Sequence, residues 1–171
     1  MTGTYVTSNH ESHTMAGLAL AELMEAVLEK NVPFRFTAPG FSMTPFIRDG
    51  DIITIAQLPL QLHAGDVVAF INPCCRKLTV HRIVHVSENG YLIKGDNNPE
   101  ADGRVPLSAI IGRVVRVEHA NRSVQLGLGP ERYAIAWLSK RELLRPVMWR
   151  VWRVIKPMCR RNNCSNSSNV L

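Results

Sequence analysis

From residue 34 to about 128 the chain repeats one pattern. Short runs rich in Val and Ile alternate with turn residues, and no helical stretch separates them. The runs are Asp51–Ala56, Asp66–Ile71, Leu78–Val86, Tyr91–Lys94, Ile110–Glu118 and Ser123–Leu128. Parallel strands need long crossovers, usually helical, and there is no room for them here. Asn89-Gly90 between two runs is a strong hairpin signal, because both residues tolerate positive φ. The predicted fold class is mainly β: a twisted antiparallel sheet that curls into an open, partly closed barrel.

Helical patterns flank this region. In residues 14–30, Leu20, Leu23, Met24, Val27 and Leu28 recur at helical spacing, with Glu22, Glu25 and Glu29 on the other side. Thr14 is the expected N-cap and Pro33 the stop. Residues 131–157 read as helical again, with a break or kink at Pro146. Three segments result: 1–33, a polar start and amphipathic helix; 34–128, the β domain; and 129–171, a basic, Trp-containing helical tail with a disordered end.

Charge follows the same division. Residues 1–131 hold 11 Lys/Arg and 13 Asp/Glu, a balance of −2, whereas residues 132–171 hold 9 and 1, a balance of +8. A tail of this kind suits an anionic surface, membrane or nucleic acid. Trp149 and Trp152 beside Arg150 and Arg153 favour the membrane interface for residues 146–161, with docking on the domain or on a second copy as the alternative. No nucleic-acid partner is expected. No segment reaches the roughly 18 apolar residues that span a bilayer. The N-terminus lacks a basic n-region, and Glu22 and Glu25 interrupt any signal-peptide core. The expected location is therefore the cytoplasm or a membrane surface. Adjacent cysteines rarely bridge each other, and Cys159 and Cys164 have no zinc-finger partners, so Cys74, Cys75, Cys159 and Cys164 read as free thiols in a reducing compartment.

The chemistry concentrates around a serine. Gly40-Phe-Ser-Met-Thr-Pro45 places Ser42 on a loop bounded by Gly and Pro, and a nucleophile needs such a fixed direction. An ordinary loop would carry the same residues. A base is the next requirement. In the run Leu78–Val86, alternation puts Thr79, His81, Ile83 and His85 on one face. Beyond the hairpin, Lys94-Gly-Asp-Asn-Asn-Pro-Glu-Ala-Asp102 forms a loop dense in carboxylates and amides. Either Asp96 or Asp102 would hold the far nitrogen of a histidine; the bland reading is a solvated Asx turn.

In that order, Gly40-Phe-Ser-Met-Thr-Pro45 with Gly50-Asp51, Gly65-Asp-Val-Val, His81-Arg-Ile and Lys94-Gly-Asp-Asn-Asn…Asp102 resemble the motif series of the type I signal peptidases. Within that S24/S26-like group the likeness is to the ER and archaeal branch, where histidine stands in place of lysine. It covers roughly residues 34–118. The resemblance implies a serine endopeptidase that removes signal or leader peptides after small residues. Ser42 is then the nucleophile, His81 the general base and Asp102 the catalytic aspartate. Asp96, Gly40 and Met43 are supporting residues, and no cofactor or metal is implied. Histidine is ordinarily neutral at pH 7 and takes the serine proton directly. The Ser42 N–H is the expected oxyanion donor. Family members usually have a serine where Gly40 stands and a membrane anchor where the acidic helix stands, and their motifs do not include the basic tail. Two further readings remain: a LexA-like self-cleaving module, with Ala16-Gly17 as the bond, and a peptide-binding homologue without turnover.

Overall fold

The computed structural model describes residues 9–120, 122–144, 146 and 150, with side chains from Gly17 onwards. Apart from residues 146 and 150, the Trp-bearing segment 146–161 lies outside the described residues, as do Cys159 and Cys164.

Helix α1 (Asn9–Glu29) precedes strands β1 (Phe34–Thr37), β2 (Ile52–Ala56), β3 (Val67–Ile71), β4 (Leu78–Ser87), β5 (Gly90–Lys94), β6 (Ala101–Val105), β7 (Ile110–His119) and β8 (Arg122–Val124), and α2 (Arg132–Lys140) follows. The strands form one antiparallel sheet in the order β1-β2-β7-β3-β4-β5-β6, with β8 on β7. The sheet is not closed, and the mainly β expectation holds.

Alternation along β3 explains how the sheet serves two cores. Val67 and Ala69 face a cluster with Ile53, Ile55, Val114 and Val117 that α1 covers with Ala21, Met24 and Leu28. Val68 and Phe70 face the opposite way, into a cluster with Leu62, Ile83, Ile93, Val105 and Ile110. Fully burying a side chain such as Leu28 contributes about 1.5–3 kcal/mol, which makes this the anchoring stripe of α1. Leu23, expected on the apolar face, is 54% exposed.

Several boundaries differ from the sequence reading. Asn31, at φ 58, ends α1 two residues before Pro33: its N–H donates to the Leu28 carbonyl, and the Val32 N–H reaches the Val27 carbonyl. Glu142, at φ 59, ends α2 in the same way, with the Leu143 N–H on the Leu138 carbonyl, so this helix stops well before Pro146. The expected strand Ser123–Leu128 shortens to β8 and a turn. Asp102 lies in β6 rather than in a loop. The β4–β5 register shifts between Ile83 and His85. The alternation that would have put His85 beside His81 breaks there, and His85 is exposed while His81 is buried.

Candidate active site

Ser42 sits on the connection from β1 to β2, and the connection is braced at its base. The Ala38 N–H donates to the Asp51 carbonyl and the Gly50 N–H to the Ala38 carbonyl. Buried Asp51 accepts the Arg48 N–H at 2.8 Å and pairs with His119 Nδ1 at 2.6 Å. Gly40 has φ 89, a conformation that disfavours a serine there, and its N–H is engaged by Asp49 Oδ1 at 2.7 Å. Met43 is buried in the α1-side core, and its carbonyl accepts the N–H groups of Phe46 and Ile47. The Thr44–Pro45 peptide is cis.

The loop after β5 docks directly on the serine. The Asn97 N–H donates to the Ser42 carbonyl at 2.7 Å, and Asn97 Nδ2 to the Phe41 carbonyl at 3.2 Å. Gly95 permits this approach, since a Cβ there would lie 2.9 Å from the Ser42 oxygen. The same loop is fixed from below by Asp96. Its carboxylate takes Arg82 Nε at 2.9 Å and Nη2 at 2.8 Å in a pair with no solvent exposure. Arg82 Nη1 also donates to the Gly65 and Gly127 carbonyls, so each guanidinium nitrogen has an acceptor.

One position earlier on β4, His81 points to the other face. Its Nδ1 lies 2.6 Å from Asp102 Oδ2, with both side chains largely buried. Of the two aspartates left open by the sequence, Asp102 contacts the histidine and Asp96 serves Arg82. His81 has no hydrogen bond to Ser42 Oγ; Asp102 is its described partner. Serine and histidine side chains are often more loosely placed in sites without substrate.

Asn72 is the site residue that the sequence reading passed over. Its Nδ2 donates to Asp102 Oδ1 at 3.2 Å, and its Oδ1 accepts the N–H groups of Cys74 and Cys75 at 2.9 and 3.4 Å. The turn from β3 to β4 thereby holds the carboxylate that holds the histidine. The one available signal was Asn72-Pro73 directly after an apolar run, which reads as a plain turn. Cys74 and Cys75 are exposed and unbridged.

Beside Ser42 lies a cavity of about 370 Å³, walled by Phe36 and Thr37 of β1 and the following Ala38, by Lys77 and the first three residues of β4, and by Gly17 and Leu20 of α1. β1 pairs with β2 alone, and Leu78–Val80 pair with β3 alone, because β5 joins β4 only from Arg82 onwards. Two strand edges therefore face each other across the cavity, and no strand among the described residues lies between them. Counting through the antiparallel pairs, β1 and β4 run in the same direction, and His81 follows the stretch of β4 that walls the cavity.

No helix among the described residues is long and apolar enough to cross a membrane. No curated protein gives a significant match. Residues 3–115, well over half of the chain, match the model of the Peptidase S24-like family, to which this chain belongs.

Proposed function

We propose that this protein is a serine endopeptidase of the signal-peptidase type, which cuts signal or leader peptides after small residues. The His81–Asp102 pair, with His81 on the strand that walls the cavity at Ser42, carries this reading. Ser42 Oγ attacks the scissile carbonyl while His81 Nε2 takes its proton, and the same nitrogen then protonates the leaving amine. Asp102 keeps the proton on Nδ1 and stabilises the imidazolium. The Ser42 N–H, which donates to no described residue, faces the developing oxyanion. The substrate enters as an extended strand between the free edges of β1 and β4, taking main-chain hydrogen bonds from both.

The experiment is mass-spectrometric cleavage profiling of wild type, Ser42→Ala and His81→Ala on a pool of leader-type peptides, with and without anionic vesicles. Cleavage after small residues in wild type and in neither variant supports the reading. Cleavage that survives Ser42→Ala refutes it, and peptides bound but left intact by all three proteins favour the non-catalytic homologue. A vesicle requirement supports a membrane-surface role for residues 146–161.

A second reading, self-cleavage at Ala16-Gly17, draws support from Gly17, which lines the same cavity as Ser42. The bond lies within α1, so the helix must unwind before Ser42 can reach it. Intact mass on prolonged alkaline incubation tests this: an unchanged mass excludes self-cleavage.

A further inference from the structure

We propose that α1 forms the floor of the substrate groove and that Leu20 limits the size of the side chain accepted before the cut. This rests on the peptidase reading above. The apolar part of the cavity's lining is made by Gly17 and Leu20 of α1, Phe36 of β1, Met43 of the serine loop, and Leu78 and Val80 of β4. Ala21, Met24 and Leu28 anchor the helix in the core, whereas Leu20 is only half-buried and borders the open space. It is therefore free to meet a ligand without being the residue that holds α1 in place.

The helix also bounds the groove lengthwise. A methyl group on Gly17 would sit 3.9 Å from the Leu78 nitrogen, so the helix backbone runs against the start of β4. From Leu78 to His81 an extended strand covers about 10 Å, room for roughly three substrate residues. In an extended peptide the residue at the cut and the second before it share a face. Both then turn towards Leu20 and its neighbours, and small side chains fit there while branched ones meet the leucine.

The test uses the full chain as wild type, Leu20→Ala, Leu20→Phe and Leu23→Ala, with Ser42→Ala as the blank. Each is given peptides in which those two positions carry Gly, Ala, Val or Leu. Filling or emptying space worth a methylene changes preference roughly 10- to 200-fold. Leu20→Ala should raise cleavage of Val and Leu peptides relative to Ala peptides on that scale. Leu20→Phe should move preference the opposite way, towards Gly, and Leu23→Ala should keep the wild-type profile. Opposite shifts from one position cannot arise from partial unfolding. Ser42-dependent cleavage with an unaltered profile in both Leu20 variants overturns the inference while leaving the peptidase reading intact. If wild type cuts nothing, that reading fails, and calorimetric affinities for the same peptides decide the floor: a higher ratio of Val-peptide to Ala-peptide affinity in Leu20→Ala supports it, and an unchanged ratio overturns it.

Discussion

Asp102 Oδ2 lies 2.6 Å from His81 Nδ1, joining the outer strand β6 to β4 across the β5 between them. In a serine site the aspartate's work is to hold the tautomer that leaves Nε2 free. Asp102→Asn reverses that preference, and the expected loss in kcat is on the order of 10⁴, with the fold intact. Steady-state kinetics on a cleaved leader peptide, alongside a thermal melt, checks both halves of this prediction.

Asn72→Ala removes a donor to the Asp102 carboxylate and the shared acceptor for two turn amides. A hydrogen bond to a charged group is worth about 1.5–3 kcal/mol, so kcat should fall by one to two orders of magnitude. KM should hold, because Asn72 does not line the groove. A rise in KM with kcat preserved would place Asn72 in binding instead.

Asp96→Ala strands Arg82 in a site with no solvent exposure. Breaking one side of a buried pair costs about 3–5 kcal/mol, read as a lower urea midpoint. The double variant Arg82→Met with Asp96→Ala should cost less than the two single changes combined, since it leaves no uncompensated charge.

Glu131 supplies a pH-dependent contribution near the start of α2. Hydrogen bonds from backbone N–H groups, its own first and then those of Gly127 and Gly129, hold its carboxyl below the ordinary value of 4.5. A lowered folded-state value favours the folded protein above the unfolded-state value, and that contribution disappears as pH falls through the folded value. Glu131→Gln should thus lower the melting temperature at neutral pH, and the gap from wild type should close in acid. A gap that persists at a pH where both carboxyl forms are protonated would contradict this.

The sequence made the sheet legible because short Val/Ile runs separated by turn residues, with an Asn-Gly turn between two of them, leave few alternatives. The resemblance singled out Ser42, His81 and Asp102 as candidates through an ordered series of short motifs, and the structure brings His81 and Asp102 into contact. The missed parts all depend on contacts between distant segments. Ala101–Val105 opens with Ala101, Asp102 and Gly103, poor strand formers, and becomes β6 only because β5 offers an edge to pair with. The shift near Val84 is a property of two strands fitted together and leaves no trace in one of them. Asn31 and Glu142 end their helices before the prolines do, and a left-handed Glu is seldom anticipated. Asn72 gains its role only when the β3–β4 turn meets β6, 30 residues away.

Strand β4 acts as a common datum for the two groups that the proposal makes base and nucleophile. His81 leaves one face to meet Asp102. Arg82, its neighbour, leaves the other to grip Asp96, whose loop carries the Ser42 backbone through Asn97. The proposed base and the support of the proposed nucleophile are thus referenced to consecutive residues of one strand. A displacement of that strand would therefore carry His81 and Arg82 together, and with them the contacts to Asp102 and Asp96.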